Sequence, residues 1–158
     1  MLGDIKELLI NPKIQRERFL YSIDVEEKLF NELKKLIFDL EKTSDEYDYS
    51  DATSESLNLR AELKCRGKDY DTLLIEKIKW DKLMGCDEEK VYYINSTPKR
   101  VVMFDVRKLP EPIWEVQKHN KTTKFENKKK IDKVVGFYDT ITQPYFNLTE
   151  KLYKINGI

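Results

Sequence analysis

Leu29, Leu33, Leu36, Ile37 and Leu40 recur every three or four positions, the period of a helix with one stripe to bury, and predict a helix over about residues 25–41. Asp24 and Glu27 have the spacing of a capping box for it. Upstream, Asp4 with Glu7 repeats that spacing and predicts a short helix running to about Ile10. Asn11 and Pro12 open another, because Asn caps well and Pro has the backbone angle of a first helical position. The period then changes. "EYDYSDAT" predicts a short strand around Tyr47 to Thr53, and "SES" a turn into a run where Leu57, Leu59, Ala61, Leu63 and Cys65 alternate with Asn58, Arg60, Glu62, Lys64 and Arg66. That two-residue period predicts a strand with one apolar and one charged face, ended by Gly67.

Downstream, Leu74, Ile75 and Ile78 fit a helical face within about residues 71–84, with Gly85 as its stop. "VYYINST" and "RVVMFDVRKL", separated at Pro98 and Lys99, predict a hairpin. A strand near Ile113 to Gln117, a lysine-rich loop, and a strand or short helix near Ile131 to Tyr138 complete the pattern. The order is helix, strand, strand, helix, strand, strand and a mixed tail. It predicts an α/β fold, a single domain with a central mixed β-sheet flanked by helices. Its parts are N-terminal helices over 4–41, a sheet and helix core over 47–138 and a C-terminal tail over 139–158.

Composition and charge refine this picture. A chain of 158 residues can bury a core without disulfides or a structural metal. Its 40% hydrophobic residues are ordinary for a globular protein, while 37% charged residues imply a densely ionic surface. The 29 basic and 29 acidic residues cancel, which removes the simplest electrostatic case for a polyanionic partner. Their distribution is uneven, however. Asp45, Glu46, Asp48, Asp51 and Glu55 lie in a stretch without Lys or Arg, whereas seven Lys fall between Lys118 and Lys133. Cys65 and Cys86 form no framework and have no metal-ligand spacing with His119, so zinc is not expected. No apolar run approaches membrane-spanning length and no signal-peptide pattern opens the sequence; an intracellular, cytoplasmic protein with no membrane partner is the expectation.

Phosphodiester hydrolysis without a covalent intermediate needs a hard divalent cation held by carboxylates and a second positive group near the attacking water. Glu62 and Lys64, two apart on the alternating strand, would project together, with Leu63 anchoring the core side and offering its carbonyl. The same spacing recurs elsewhere, as at Glu26/Lys28, Glu88/Lys90 and Glu126/Lys128, and those copies do not lie on so clear a strand. Asp51, 11 residues before Glu62 across a turn, is the second candidate carboxylate, and Asp48 the reserve. Glu76 and Lys79 would share a helix face bordering the same cleft; an ordinary surface ion pair is their plainer role.

Asp51, "AELK" with Glu62 and Lys64, and the helix "DTLLIEKIKWDKLM" after a long N-terminal helix resemble the PD-(D/E)XK nuclease superfamily. "VYYINSTPKRVVMFDVRKL", a Trp, and "KTTKFENKKKIDKVV" are similar to its small phage-type members. The resemblance spans roughly residues 25–138. It implies a helix, a three-strand meander carrying the Asp and the Glu-x-Lys, a helix and another strand: an αβββαβ restriction-endonuclease-like core. It further implies a DNA-cleaving, Mg²⁺- or Mn²⁺-dependent hydrolase in which Asp51 and Glu62 hold the metal and Lys64 orients water or stabilises the transition state. Glu27 would match an acidic residue of some members. The proline of the superfamily's name is absent, since Ser50 precedes Asp51.

Other residues have two readings each. Trp80, Tyr92, Tyr93 and Trp114 could stack on bases, although core packing is the plainer role. His119 could touch phosphate. Lys128, Lys129 and Lys130 could follow a DNA backbone or form a solvated turn. Three functions compete: a metal-dependent DNA nuclease, in which a homodimer would serve double-strand cuts; a module of the same fold without catalysis, binding DNA or protein; and an unrelated mixed domain with Glu62 simply exposed.

Overall fold

In a computed structural model, residues 11–43, 48–120 and 130–158 are described. The helix expected before Ile10 and the lysine-rich loop, including Lys128 and Lys129, lie outside them. Helix α1 (Pro12–Ser22) starts where Asn11 and Pro12 place it: the Asn11 side chain accepts from the Ile14 N–H at 3.3 Å. Helix α2 (Glu26–Leu36) buries Leu29, Phe30 and Leu33 on one stripe. Two details differ from expectation. Asp24 pairs with Lys28 at 2.8 Å instead of capping, and Val25 takes the cap position with no side-chain bond. The helix also stops at Leu36, because Ile37 turns extended and sends Leu40 into the core by another route.

Strands β1 (Glu41–Lys42), β2 (Asp51–Ser54) and β3 (Leu59–Cys65) form an antiparallel meander, its turn closed by Asn58 in the left-handed region that Asn tolerates. The segment expected as one helix over 71–84 is divided. Thr72–Glu76 is strand β4, and helix α3 covers only Lys77–Met84. Leu73 and Ile75 alternate into the core opposite Tyr138 and Gly136, so a short apolar run compatible with either period took the extended one. Ile78, expected on the buried face, is 75% exposed.

The hairpin is present as β5 (Lys90–Ser96) and β6 (Val101–Asp105), and β5 runs parallel to β3. Strands β7 (Glu115–Asn120) and β8 (Lys130–Asp139) pair with each other. The expected tail is built into the fold: β9 (Phe146–Asn147) joins β6, and α4 (Thr149–Ile155) buries Leu152 completely.

The result is a single α/β domain with four helices among the described residues. One sheet has the order β1-β2-β3-β5-β6-β9 and the other β4-β8-β7. Alternation along β3, β5 and β6 separates two cores. Ala61, Leu63, Ile94 and Val101 face α1, α2 and α4, while Val91, Tyr93, Val102 and Phe104 face α3 and the second sheet. Trp80 and Trp114 meet edge to face at 5.6 Å against that second core. Gly136 lets the chain close there, since a Cβ would lie 2.5 Å from Pro112. No described helix is long and apolar enough to cross a membrane.

Candidate metal and catalytic site

The register of β2 on β3 sets Asp51 directly opposite Glu62. The Leu63 N–H donates to the Ser50 carbonyl at 2.7 Å, so Asp51 and Glu62 sit one step away, where side chains of opposite strands come closest. Ser50 then turns its own N–H to Asp48 Oδ1 at 2.8 Å. Asp48, the reserve candidate, is thereby engaged in shaping the turn before Asp51.

Both acids are buried, Asp51 at 0% and Glu62 at 5% exposure. Cations surround them. Asp51 Oδ2 receives Lys82 Nζ at 2.7 Å and Arg60 Nη1 at 3.0 Å, and Arg60 is held from its other side by both oxygens of Glu88. Lys79 Nζ lies 3.4 Å from Glu62 Oε1. One oxygen of each acid, Asp51 Oδ1 and Glu62 Oε2, is buried with no hydrogen-bond partner among the described residues. Burial pushes the Glu62 carboxyl up to about 7, with nearby Lys79 opposing and Asp51 reinforcing the rise. The hydrogen bond to Asp51 raises the Lys82 ammonium, and that from Arg60 lowers the Glu88 carboxyl.

Glu62 opens onto a cavity of about 490 Å³ between β3 and the second sheet. Lys64 lines it, half-buried, and makes no ion pair or hydrogen bond among the described residues. Arg66 closes one side, donating to Asn95 Oδ1 at 3.1 Å, to Tyr93 Oη at 2.9 Å and to the Leu74 carbonyl, so β3 is tied to β4. His119 and Lys133 form the opposite wall; His119 Nε2 lies 2.8 Å from Gln117 Oε1.

The structure thus brings together Asp51, Glu62, Lys79 and, along the same face, Lys64. Glu76 also borders the cavity, but not as a partner of Lys79 on a helix face. It ends β4, ahead of the helix, and pairs with Lys133 at 2.9 Å. Glu27 is exposed on α2, while its neighbour Glu26 lines the cavity. Lys130 is exposed at the start of β8, away from the cavity lining. Sequence reasoning missed Lys82, Arg60 and Glu88. Lys79 and Lys82 are three apart on α3, and that spacing was readable once the helix start was known; the link from Arg60 to Glu88 is tertiary.

A hard divalent cation fits this donor set. Two carboxyl oxygens lack donors among the described residues and lie on adjacent strands, and Mg²⁺ commonly takes only one or two carboxylates, completing its shell with water and phosphate oxygens. No cluster of three or more His, Cys, Asp or Glu suited to a metal occurs among the described residues, so the remaining donors would be backbone or solvent. No protein-family model matches the chain, and no curated protein or solved structure matches it significantly. The chemistry of the site therefore rests on its own geometry.

Proposed function

We propose that the protein is a divalent-metal-dependent nuclease that hydrolyses DNA phosphodiester bonds at the Asp51, Glu62 and Lys64 site. The observation that carries the reading is the pair of buried carboxylate oxygens, Asp51 Oδ1 and Glu62 Oε2, without donors among the described residues, beside a cavity lined by Lys64, which makes no ion pair or hydrogen bond among them either. The order of elements supports it. Helix α2, the meander of β1, β2 and β3, helix α3 and then β5 follow the succession of the PD-(D/E)XK superfamily, with β4 inserted before the second helix.

On this reading Asp51 and Glu62 hold Mg²⁺ or Mn²⁺. The bound ion supplies a Lewis acid for the phosphate and a more acidic water. Lys64 orients that water or faces the developing charge, and Arg66 keeps the adjoining wall in place. Glu62 must ionise to bind the cation, so activity rises with pH through about 7. The experiment is incubation of plasmid and linear DNA with Mg²⁺ or Mn²⁺. Cleavage that disappears without metal and in Glu62→Gln supports the reading; cleavage that survives Glu62→Gln contradicts it.

A second reading, a catalytically inactive module of this fold, is favoured by the ion pairs themselves. Lys79, Lys82 and Arg60 already neutralise both acids. A folded protein that binds DNA or protein, takes up no divalent ion by calorimetry and cuts nothing would establish that alternative.

A further inference from the structure

The charges around Asp51 balance. Asp51, Glu62 and Glu88 face Arg60, Lys79 and Lys82, three carboxylates against three cations. Once Glu62 is ionised, a divalent ion entering between Asp51 and Glu62 adds two positive charges to carboxylates that Arg60, Lys79 and Lys82 already neutralise. That charge raises the cost of keeping every resident cation at ion-pair distance, so the two cations held least firmly are the ones to leave.

The cluster distinguishes which two. Arg60 is fixed by two bonds to Glu88 and one to Asp51, with its side chain only 19% exposed. Lys79 and Lys82 are different: each makes one ion pair among the described residues, and their side chains are 35% and 48% exposed. Both hang from the same face of α3 on flexible stems that reach solvent. They can swing out without moving the backbone.

We infer that Lys79 and Lys82 are the resident counter-ions of the site, occupying the carboxylates in the metal-free protein and exchanged for the divalent cation when it binds. This inference rests on the metal-dependent reading above and adds to it a role for two residues outside the Asp51, Glu62 and Lys64 set. Lys79 and Lys82 are competitors of the metal, so their removal strengthens metal binding. Residues that merely support the site's shape would weaken it on removal.

The test is calorimetric titration of the full-length protein with Mn²⁺ at pH 8, together with melting curves with and without Mn²⁺. Lys79→Met and Lys82→Met keep helix propensity and the side-chain stem. Each is expected to bind Mn²⁺ on the order of tenfold more tightly than the wild type, as follows from removing a competing cation at ion-pair distance. Lys82→Met is also expected to melt earlier without metal and to recover more on adding Mn²⁺ than the wild type does. Lys77→Met, whose lysine pairs with Asp81 on the same helix, is expected to leave Mn²⁺ affinity unchanged.

Equal or weaker Mn²⁺ binding in both variants, with normal binding in the wild type, overturns the exchange and leaves the nuclease reading standing. An equal gain in Lys77→Met also overturns it, since the effect would then be one of net charge. Binding by the Lys79→Met, Lys82→Met double variant but not by the wild type supports the exchange and removes the native protein's metal site. No binding in any of them removes both.

Discussion

On one face of β3, Leu59, Ala61 and Leu63 are buried against helices and a neighbouring strand, where only volume and shape matter. On the other, Arg60 and Glu62 have ionised partners drawn from β2, α3 and the Glu88 loop, and Glu62 and Lys64 line a cavity. The same seven residues thus belong to two regions with opposite costs. The apolar face lowers the free energy of folding. The charged face carries a carboxyl whose ionisation burial opposes and, with Asp51 on the facing strand, two oxygens without donors among the described residues, an arrangement that costs folding free energy when ionised and suits ligand binding.

The contrast can be broken from the charged side first. Glu62→Gln keeps the volume and removes the charge, and should lower metal-dependent DNA cleavage on the order of a thousandfold or more. Its stability at pH 8 should equal or exceed that of the wild type, measured by thermal melting. A large loss of stability would show that Glu62 is part of the scaffold. From the apolar side, Leu63→Ala should cost about 2–5 kcal/mol in denaturant unfolding. Cleavage per folded molecule should survive it.

A pH series sharpens the same comparison. The folded-state pKa of Glu62, about 7, lies above its ordinary value of 4.5, so the folded protein holds this proton more tightly than the unfolded chain. Glu62's contribution is therefore most favourable below 4.5 and is lost as pH rises through 7, by about 3 kcal/mol in all. Glu88 acts in the opposite sense: its lowered carboxyl gives stability that is lost as pH falls. Subtracting the Glu62→Gln curve from the wild-type curve isolates the Glu62 term. A flat difference between pH 5 and 8 would contradict the burial argument. Next in size, Lys64→Met should leave melting within about 0.5 kcal/mol of wild type, because the lysine makes no ion pair or hydrogen bond among the described residues. Cleavage should fall about a hundredfold. The smallest effect belongs to the surface: Asp24→Ala, which removes the exposed pair with Lys28, should leave both the melting temperature and cleavage unaltered.

How far the sequence disclosed this arrangement depends on how local each feature is. The alternation of β3, the β5 and β6 hairpin and the start of α1 are written in residues adjacent in the chain, and each was legible. The facing of Asp51 and Glu62 followed from a strand, a turn and another strand, a short enough path to read. The division between β4 and α3 was not legible, because "TLLIE" satisfies both periods and only pairing with β8 decides it. Lys82 and Arg60 were missed for the same reason. Their roles depend on where α3 and the Glu88 loop come to rest. The C-terminal segment read as a tail because the apolar contacts of Leu152 are supplied by distant helices and strands.

The most direct measurement is a crystal structure of the protein soaked in Mn²⁺, located by anomalous scattering. The result expected is an ion held by the Asp51 and Glu62 carboxylates, with the Lys82 ammonium displaced from Asp51. Full Mn²⁺ occupancy elsewhere, or none, with both lysines still on their carboxylates, would contradict it.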